Sequence, residues 1–270
     1  MLRSLAVLAA EKTPVWVKKW VHNNRFFDRI ARKTFSGMMT VEGGTIAVKS
    51  GPLAGLKLAI SEHTSHAHIS GTYELETQHA IDELVQSDFV CYDLGASIGY
   101  LSLLMARKGK HVYAFEPAPH AADEIRKHIA ANRFENITIV GEPVSDQERQ
   151  VKFAMTDVAY GSGIAYAETE WPSLELTATT LDKFAGTHPL PDFIKIDVEG
   201  EEGSVLVGAQ SLLQGKKPII CCEIHNEEAA REVQRTLASH GYRMTTLDGG
   251  PFQLGDAPIP GEVQILAFPK

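Results

Sequence analysis

The sequence predicts a doubly wound α/β protein: a seven-stranded, mostly parallel sheet with an antiparallel closing strand, a β insertion and a helical N-terminal arm. After Gly71, short apolar runs alternate with helical patterns, the rhythm of βαβ units. The first such run is joined to its helix by a glycine-punctuated turn, Asp93 to Gly99. The alternation breaks between residues 150 and 180, where period-two patterning takes over. The chain therefore divides into a basic arm and lead-in, residues 1–70, and one α/β domain, residues 71–270, carrying the 150–180 insertion.

Each element has its own warrant. Residues 1–40 hold eight Lys and Arg against Glu11 and Asp28, a net +6 on a chain of net -8. Trp16, Trp20, Phe26, Phe27 and Ile30 interleave with those cations. Such an arm either packs on its own acidic body or a second subunit, or lies as a basic amphipathic helix on an anionic membrane. Phe89 to Leu94 reads as the first buried strand. Tyr100 to Lys108 has a helical face at Leu101, Leu104, Met105 and Lys108, stopped by Gly109 in the C′ position. His111 to Glu116 is the second strand, Ala121 to Asn132 a helix, and Ile137 to Val140 a third strand. Val151, Phe153 and Met155, then Leu174, Leu176 and Ala178, alternate as antiparallel strands about a Gly161-Ser162-Gly163 turn. Phe193 to Asp197, a helix over 203–213 and Ile219 to Ile224 resume the βαβ rhythm. Asn226 caps a helix that Gly241 closes, and Tyr242 to Leu247 with Val263 to Phe268 form the closing antiparallel pair.

Composition narrows the function. Hydrophobic residues make up 44% and charged residues 22% of 270, a globular balance. The net charge of -8 argues against a protein that coats phosphate backbones, so no nucleic-acid partner is expected. The Leu5–Ala10 run is shorter than a signal-peptide core and no run reaches a membrane span, which points to the cytoplasm. Cys91, Cys221 and Cys222 are an odd number and read as reduced, buried thiols.

The turn Asp93-Leu94-Gly95-Ala96-Ser97-Ile98-Gly99 sits where a ligand approaches backbone and a helix N-terminus. Glu116 follows Asp93 by 23 positions, near the roughly 20 expected of a carboxylate that binds ribose hydroxyls. The middle glycine that admits a pyrophosphate is missing. That absence disfavours a nicotinamide-dependent oxidoreductase, and Asp93 suits a cationic amino acid moiety, which points to S-adenosyl-L-methionine.

Five motifs follow one another through the chain: Asp93-Leu94-Gly95-Ala96-Ser97-Ile98-Gly99-Tyr100, Tyr113-Ala114-Phe115-Glu116-Pro117, Leu181-Asp182, Ile194-Lys195-Ile196-Asp197-Val198-Glu199-Gly200 and Cys222-Glu223-Ile224-His225. In order and approximate spacing they resemble the FkbM family of S-adenosylmethionine-dependent methyltransferases. Gly71-Thr72-Tyr73-Glu74 and Val144-Ser145-Asp146 look like two further landmarks. The resemblance covers about residues 71–225. It implies a Rossmann-like class I methyltransferase fold and O-methylation of a hydroxyl on a small molecule, sugar or natural product. Ser97 stands where the family usually has Asn.

The candidate cofactor set is Glu74, Asp93, Gly95, Ala96, Ser97, Gly99, Glu116, Pro117, Glu142, Asp197 and Glu199. Asp197 and His225, at the carboxyl ends of the fourth and fifth strands, are the candidate catalytic pair, with a neutral His225 taking the acceptor's proton. Asp197 and Glu199 could instead bind Mg²⁺ or cap the next helix, but displacement at a sulfonium requires no metal, and none is expected. His63, His66 and His68 lack a carboxylate or thiol to complete a metal site and read as loop residues. Tyr160, Tyr166 and Trp171 either line an acceptor pocket or form the insertion's own core. A small-molecule or glycan acceptor is the expected partner. The rival outside enzymes is a catalytically silent module that keeps the cofactor fold to bind or scaffold.

Overall fold

The computed structural model describes residues 44–155, 162–165, 171–254 and 261–270. The basic arm, Tyr160 and Tyr166 lie outside them. A short hairpin, β1 (Thr45–Ala47) and β2 (Lys57–Ala59), leads into α1 (His66–Ser70) and α2 (Leu75–Leu84). The first half of the sheet then runs β3 (Val90–Leu94), α3 (Tyr100–Lys108), β4 (His111–Phe115), α4 (Pro119–Asn132), β5 (Ile137–Val140). The insertion is a separate three-stranded antiparallel sheet of β6 (Arg149–Ala154), β7 (Gly163–Ala165) and β8 (Ser173–Ala178), with β6 in the middle. The second half runs α5 (Leu181–Ala185), β9 (Phe193–Ile196), α6 (Glu202–Val207), α7 (Gln210–Gly215), β10 (Ile219–Ile224), α8 (Glu227–Ser239), β11 (Tyr242–Thr246) and β12 (Val263–Pro269).

The seven strands lie in the order β11-β12-β10-β9-β3-β4-β5, with β12 antiparallel to both its neighbours and the β10-β9-β3-β4-β5 pairs parallel. From β3 the chain winds outward through β4 and β5, then returns to β9 on β3's other side. The switch point lies between the carboxyl ends of β3 and β9, where ligands bind such sheets. Side chains alternate along each strand, so each face has its own core. Tyr92, Leu94, Ile194 and Ile196 pack with Val205 and Leu237. Cys91, Phe193 and Cys221 pack on the opposite face with Leu101 and Leu104 of α3. Val48, Leu53 and Leu58 from the lead-in belong to that second cluster. The three cysteines are free and buried.

One local expectation is corrected. The helix expected over 203–213 is two short helices broken at Gly208. A Cβ on Gly208 would stand 2.3 Å from the Ser145 carbonyl oxygen, so only glycine fits at the break. The freed N-terminus of α7 is capped from α5: Ser211 and Leu212 donate their backbone N–H groups to Asp182 at 2.8 and 2.9 Å. Gly109 ends α3 as expected, in extended form (φ -95°), and a Cβ there would lie 2.9 Å from the Phe89 carbonyl oxygen. Asn226 caps α8 as expected, accepting from the Ala229 N–H at 2.8 Å.

Candidate active site

The β3–α3 turn forms one wall of a cleft at the switch point. Gly95 and Gly99 are both left-handed (φ +76° and +78°). Their missing side chains make room for the protein itself: a Cβ on Gly95 would fall 1.8 Å from the Asp197 carbonyl oxygen, and one on Gly99 would press 3.0 Å from Ile125. Gly95 also lines the cleft, as expected of a glycine at a ligand turn. Gly95 lets the turn close on β9, and Gly99 seats α3 against α4. Ser97 is also left-handed (φ 52°), a conformation Asn adopts more readily than Ser.

Two lobes meet over this turn. One, of about 560 Å³, is lined by Glu74, Asp93, Gly95 to Ile98, Lys195, Asp197 and Glu199, with His68, Tyr73 and Tyr100 as an aromatic wall. The other, of about 440 Å³, is more apolar and includes Leu94, Pro117, Glu142, Phe153, Ile164 and Val198, so the β insertion covers it. Glu116 lines both lobes. Its Oε2 accepts the Ser97 N–H and its Oε1 the Ala118 N–H, each at 2.8 Å. The two bonds fix the carboxylate at the junction, and each oxygen keeps a lone-pair direction for a further donor. Burial pushes the Glu116 pKa up to about 7 against the pull of those N–H groups.

Register brings Asp93 opposite Lys195, which shares a face with Asp197 two residues on. Lys195 is 5% exposed, donates to Asp197 Oδ2 at 2.9 Å and to the Gly95 carbonyl oxygen at 3.3 Å, and lies 3.9 Å from Asp93 Oδ1. Burial alone would lower its pKa, but Asp197, Asp93 and Glu74 hold it well above the lysine range. Asp93 is completely buried, accepts from the Ser102 hydroxyl and faces Lys195. Its Oδ2 is thus taken inside the protein, while its Oδ1, buried at the lobe, has no hydrogen-bond partner among the described residues.

At the β10 end, His225 stands among three carboxylates. Its Nδ1 is 2.9 Å from Oε1 of the fully buried Glu202, and its Nε2 is 3.4 Å from Asp197 Oδ1 and 3.9 Å from Glu199 Oε2. Burial alone would lower its pKa, but the Glu202 hydrogen bond and the charges of Glu202, Asp197 and Glu199 raise it to about 9. The resting ring at neutral pH is imidazolium, not the neutral base expected from the reference value. Asp197, Glu199 and His225 bring ligand atoms within 4.8 Å of one another, as do Glu74, Asp197 and Glu223. Imidazolium compensates charge in the first set and Lys195 in the second.

Sequence reasoning left out Lys195, Glu202, Ser102 and the aromatic wall. The signal for Lys195 was available: a lysine inside the apolar run Phe193-Ile194-Lys195-Ile196 must be paired if that strand is buried. His68, read as a loop residue, is buried in α1, where its Nδ1 accepts the Ser65 N–H at 3.0 Å. Its ring lies 4.2 Å from that of Tyr73 and 4.9 Å from that of Tyr100. Trp171 is exposed and lies outside the residues lining either lobe.

A doubly wound seven-stranded sheet closed by an antiparallel strand, with a cleft at its switch point, is a Rossmann-like methyltransferase fold. The model of the FkbM methyltransferase domain matches residues 93–244, and the chain belongs to that family. It is 28% identical over 159 residues to the hexuronic acid methyltransferase AglP of Haloferax volcanii, covering 58% of this chain and 64% of that protein. It is 40% identical over 63 residues to an uncharacterized protein, MJ1452, of Methanocaldococcus jannaschii, covering 23% of this chain and 24% of that one. A solved FkbM methyltransferase from Methylobacillus flagellatus superposes with a TM-score of 0.45 at 18% identity, over 74% of this chain and 46% of that one. Among the described residues, no helix is long and apolar enough to cross a membrane.

Proposed function

We propose that this protein is an S-adenosyl-L-methionine-dependent O-methyltransferase acting on a hydroxyl of a small molecule, sugar or glycan. The observation that carries the proposal is Glu116, held by two backbone N–H groups at the junction of a polar and an apolar lobe. A ribose diol fits that carboxylate, an adenine the apolar lobe and a charged amino acid the polar one. When bound, S-adenosylmethionine supplies a methyl group on a sulfonium, open to in-line displacement. The cleft's part is to align an oxygen lone pair with that methyl and to receive the hydroxyl's proton. Asp197, Glu199 and His225 border the acceptor side. Asp197 positions, and His225 accepts the proton at Nε2 in the fraction of molecules whose ring is neutral. The hexuronic acid methyltransferase among the relatives supports a sugar acceptor.

The free, buried cysteines support a cytoplasmic location, and the +6 arm is a candidate for contact with an anionic membrane surface. The test is conversion of S-adenosylmethionine to S-adenosylhomocysteine by the purified protein with a panel of neutral and acidic sugars. Acceptor-dependent formation of S-adenosylhomocysteine is expected. Binding of NAD more tightly than S-adenosylhomocysteine in calorimetry would overturn the proposal.

A further inference from the structure

We infer that Glu74, from the loop between α1 and α2, is the anchor for the α-ammonium of the bound S-adenosyl compound. The inference rests on the cofactor reading above and gives the ammonium to Glu74 rather than to the completely buried Asp93, whose Oδ2 accepts from Ser102.

Helix capping does not explain a glutamate at this position, and its local side-chain partner is the adjacent Tyr73 hydroxyl. Glu74 occupies the N-cap of α2, where Ser, Thr, Asp or Asn would satisfy a free N–H, yet its side chain makes no capping bond. Its backbone is left-handed (φ 43°, ψ 48°), which Gly or Asn adopts at lower cost. Strain of this kind persists where the surrounding structure requires a particular side chain in a particular place. Here the side chain turns into the polar lobe beside Asp93, Lys195 and Asp197. Its Oε2 is buried and has no hydrogen-bond partner among the described residues.

The nearby cation does not complete it. Lys195 directs its hydrogen bonds to Asp197 and the Gly95 carbonyl oxygen. Glu74 also shares the lobe with the carboxylates of Asp197 and Glu223, one oxygen of each lying within 4.8 Å of the others. A buried acceptor with an open lone pair, among more negative than positive charge, calls for a small hydrogen-bonding cation. An alkylammonium on an amino acid arm, reaching in from a ribose at Glu116, has that chemistry. Burial also pushes the Glu74 pKa up, as expected of a carboxylate whose partner arrives with the ligand.

The test is calorimetry of the full-length natural protein and Glu74→Gln with three probes: S-adenosylhomocysteine, its desamino analogue, and 5′-methylthioadenosine, which lacks the whole amino acid. Glu74→Gln is expected to weaken S-adenosylhomocysteine binding about 10- to 150-fold, the range for losing a hydrogen bond between charged groups. Binding of the other two probes should change less than about twofold. The free variant should still unfold cooperatively near the natural melting temperature, since glutamine keeps the shape of the side chain and Lys195 keeps its hydrogen bonds to Asp197 and the Gly95 carbonyl oxygen. Equal weakening of all three probes would make Glu74 a structural residue and overturn the inference, as would unchanged binding of S-adenosylhomocysteine. If the natural protein binds none of the three, the cofactor reading itself fails and takes this assignment with it.

Discussion

Replacing Glu202 by Gln should move the titration of a different residue, His225. Glu202 is fully buried and holds His225 Nδ1 at 2.9 Å, while Asp197 and Glu199 stand farther off at Nε2, 3.4 and 3.9 Å away. A hydrogen bond to a charged group contributes about 1.5 to 3 kcal/mol, which at 1.36 kcal/mol per pH unit is about 1 to 2 pH units. Glu202→Gln should therefore lower the His225 midpoint from about 9 to between about 7 and 8. Histidine NMR titration reads this without an acceptor substrate, with His225→Gln to assign the resonance. Turnover, once an acceptor is found, should show the same shift in its acidic limb. In the natural protein roughly one ring in a hundred is neutral at pH 7, and that fraction grows about tenfold per pH unit up to the midpoint. The sign for stability follows from the folded pKa lying above the unfolded value of about 6.5. The stabilisation is fully present below pH 6.5 and is lost as pH rises through about 9. That interval corresponds to about 3 kcal/mol before screening, reduced to about 1 to 2 by solvent at the cleft mouth. A natural-protein midpoint at or below about 6.5, or one that Glu202→Gln leaves in place, would refute the carboxylate cage as the cause.

Three further outcomes are expected. Glu116→Ala should weaken S-adenosylhomocysteine binding about 10- to 150-fold by calorimetry, and in the natural protein that affinity should rise with pH through about 7 as Glu116 ionises. Gly95→Ala places a methyl group against the Asp197 carbonyl oxygen on a left-handed backbone and should cost roughly 3 kcal/mol or more in chemical denaturation. Lys195→Met leaves the buried Asp93 and the half-buried Asp197 without their cation and should cost about 3 to 5 kcal/mol, whereas Lys195→Arg should recover part of that loss.

The layer architecture was legible because it is written in local periodicity. Buried parallel strands such as Val90–Leu94 and Phe193–Ile196 are continuous apolar runs, and the alternating residues of β6 and β8 mark a sheet with one buried face. Glu116 was legible for the same reason: it follows its strand at a spacing the nucleotide-binding half of such a sheet imposes. What sequence reading could not supply was partnership between distant segments. The same Asp93 that reads as a ligand for a cation is, in the fold, opposite Lys195 and an acceptor for Ser102, so one of its oxygens is taken before any ligand arrives. Gly95 reads as an opening for a cofactor, yet its missing Cβ is required by Asp197, a hundred residues away. His225 reads as a neutral base near its reference pKa, and only the convergence of Glu202, Asp197 and Glu199 makes it a cation at neutral pH. The sequence by itself determined the strands, the turn and the types of residue delivered to the carboxyl edge of the sheet, because those depend on neighbours a few positions away. The tertiary structure alone decided which of those residues neutralise one another and which keep an open valence toward the cleft, because Coulomb and desolvation energies depend on distances in space that no spacing along the chain encodes.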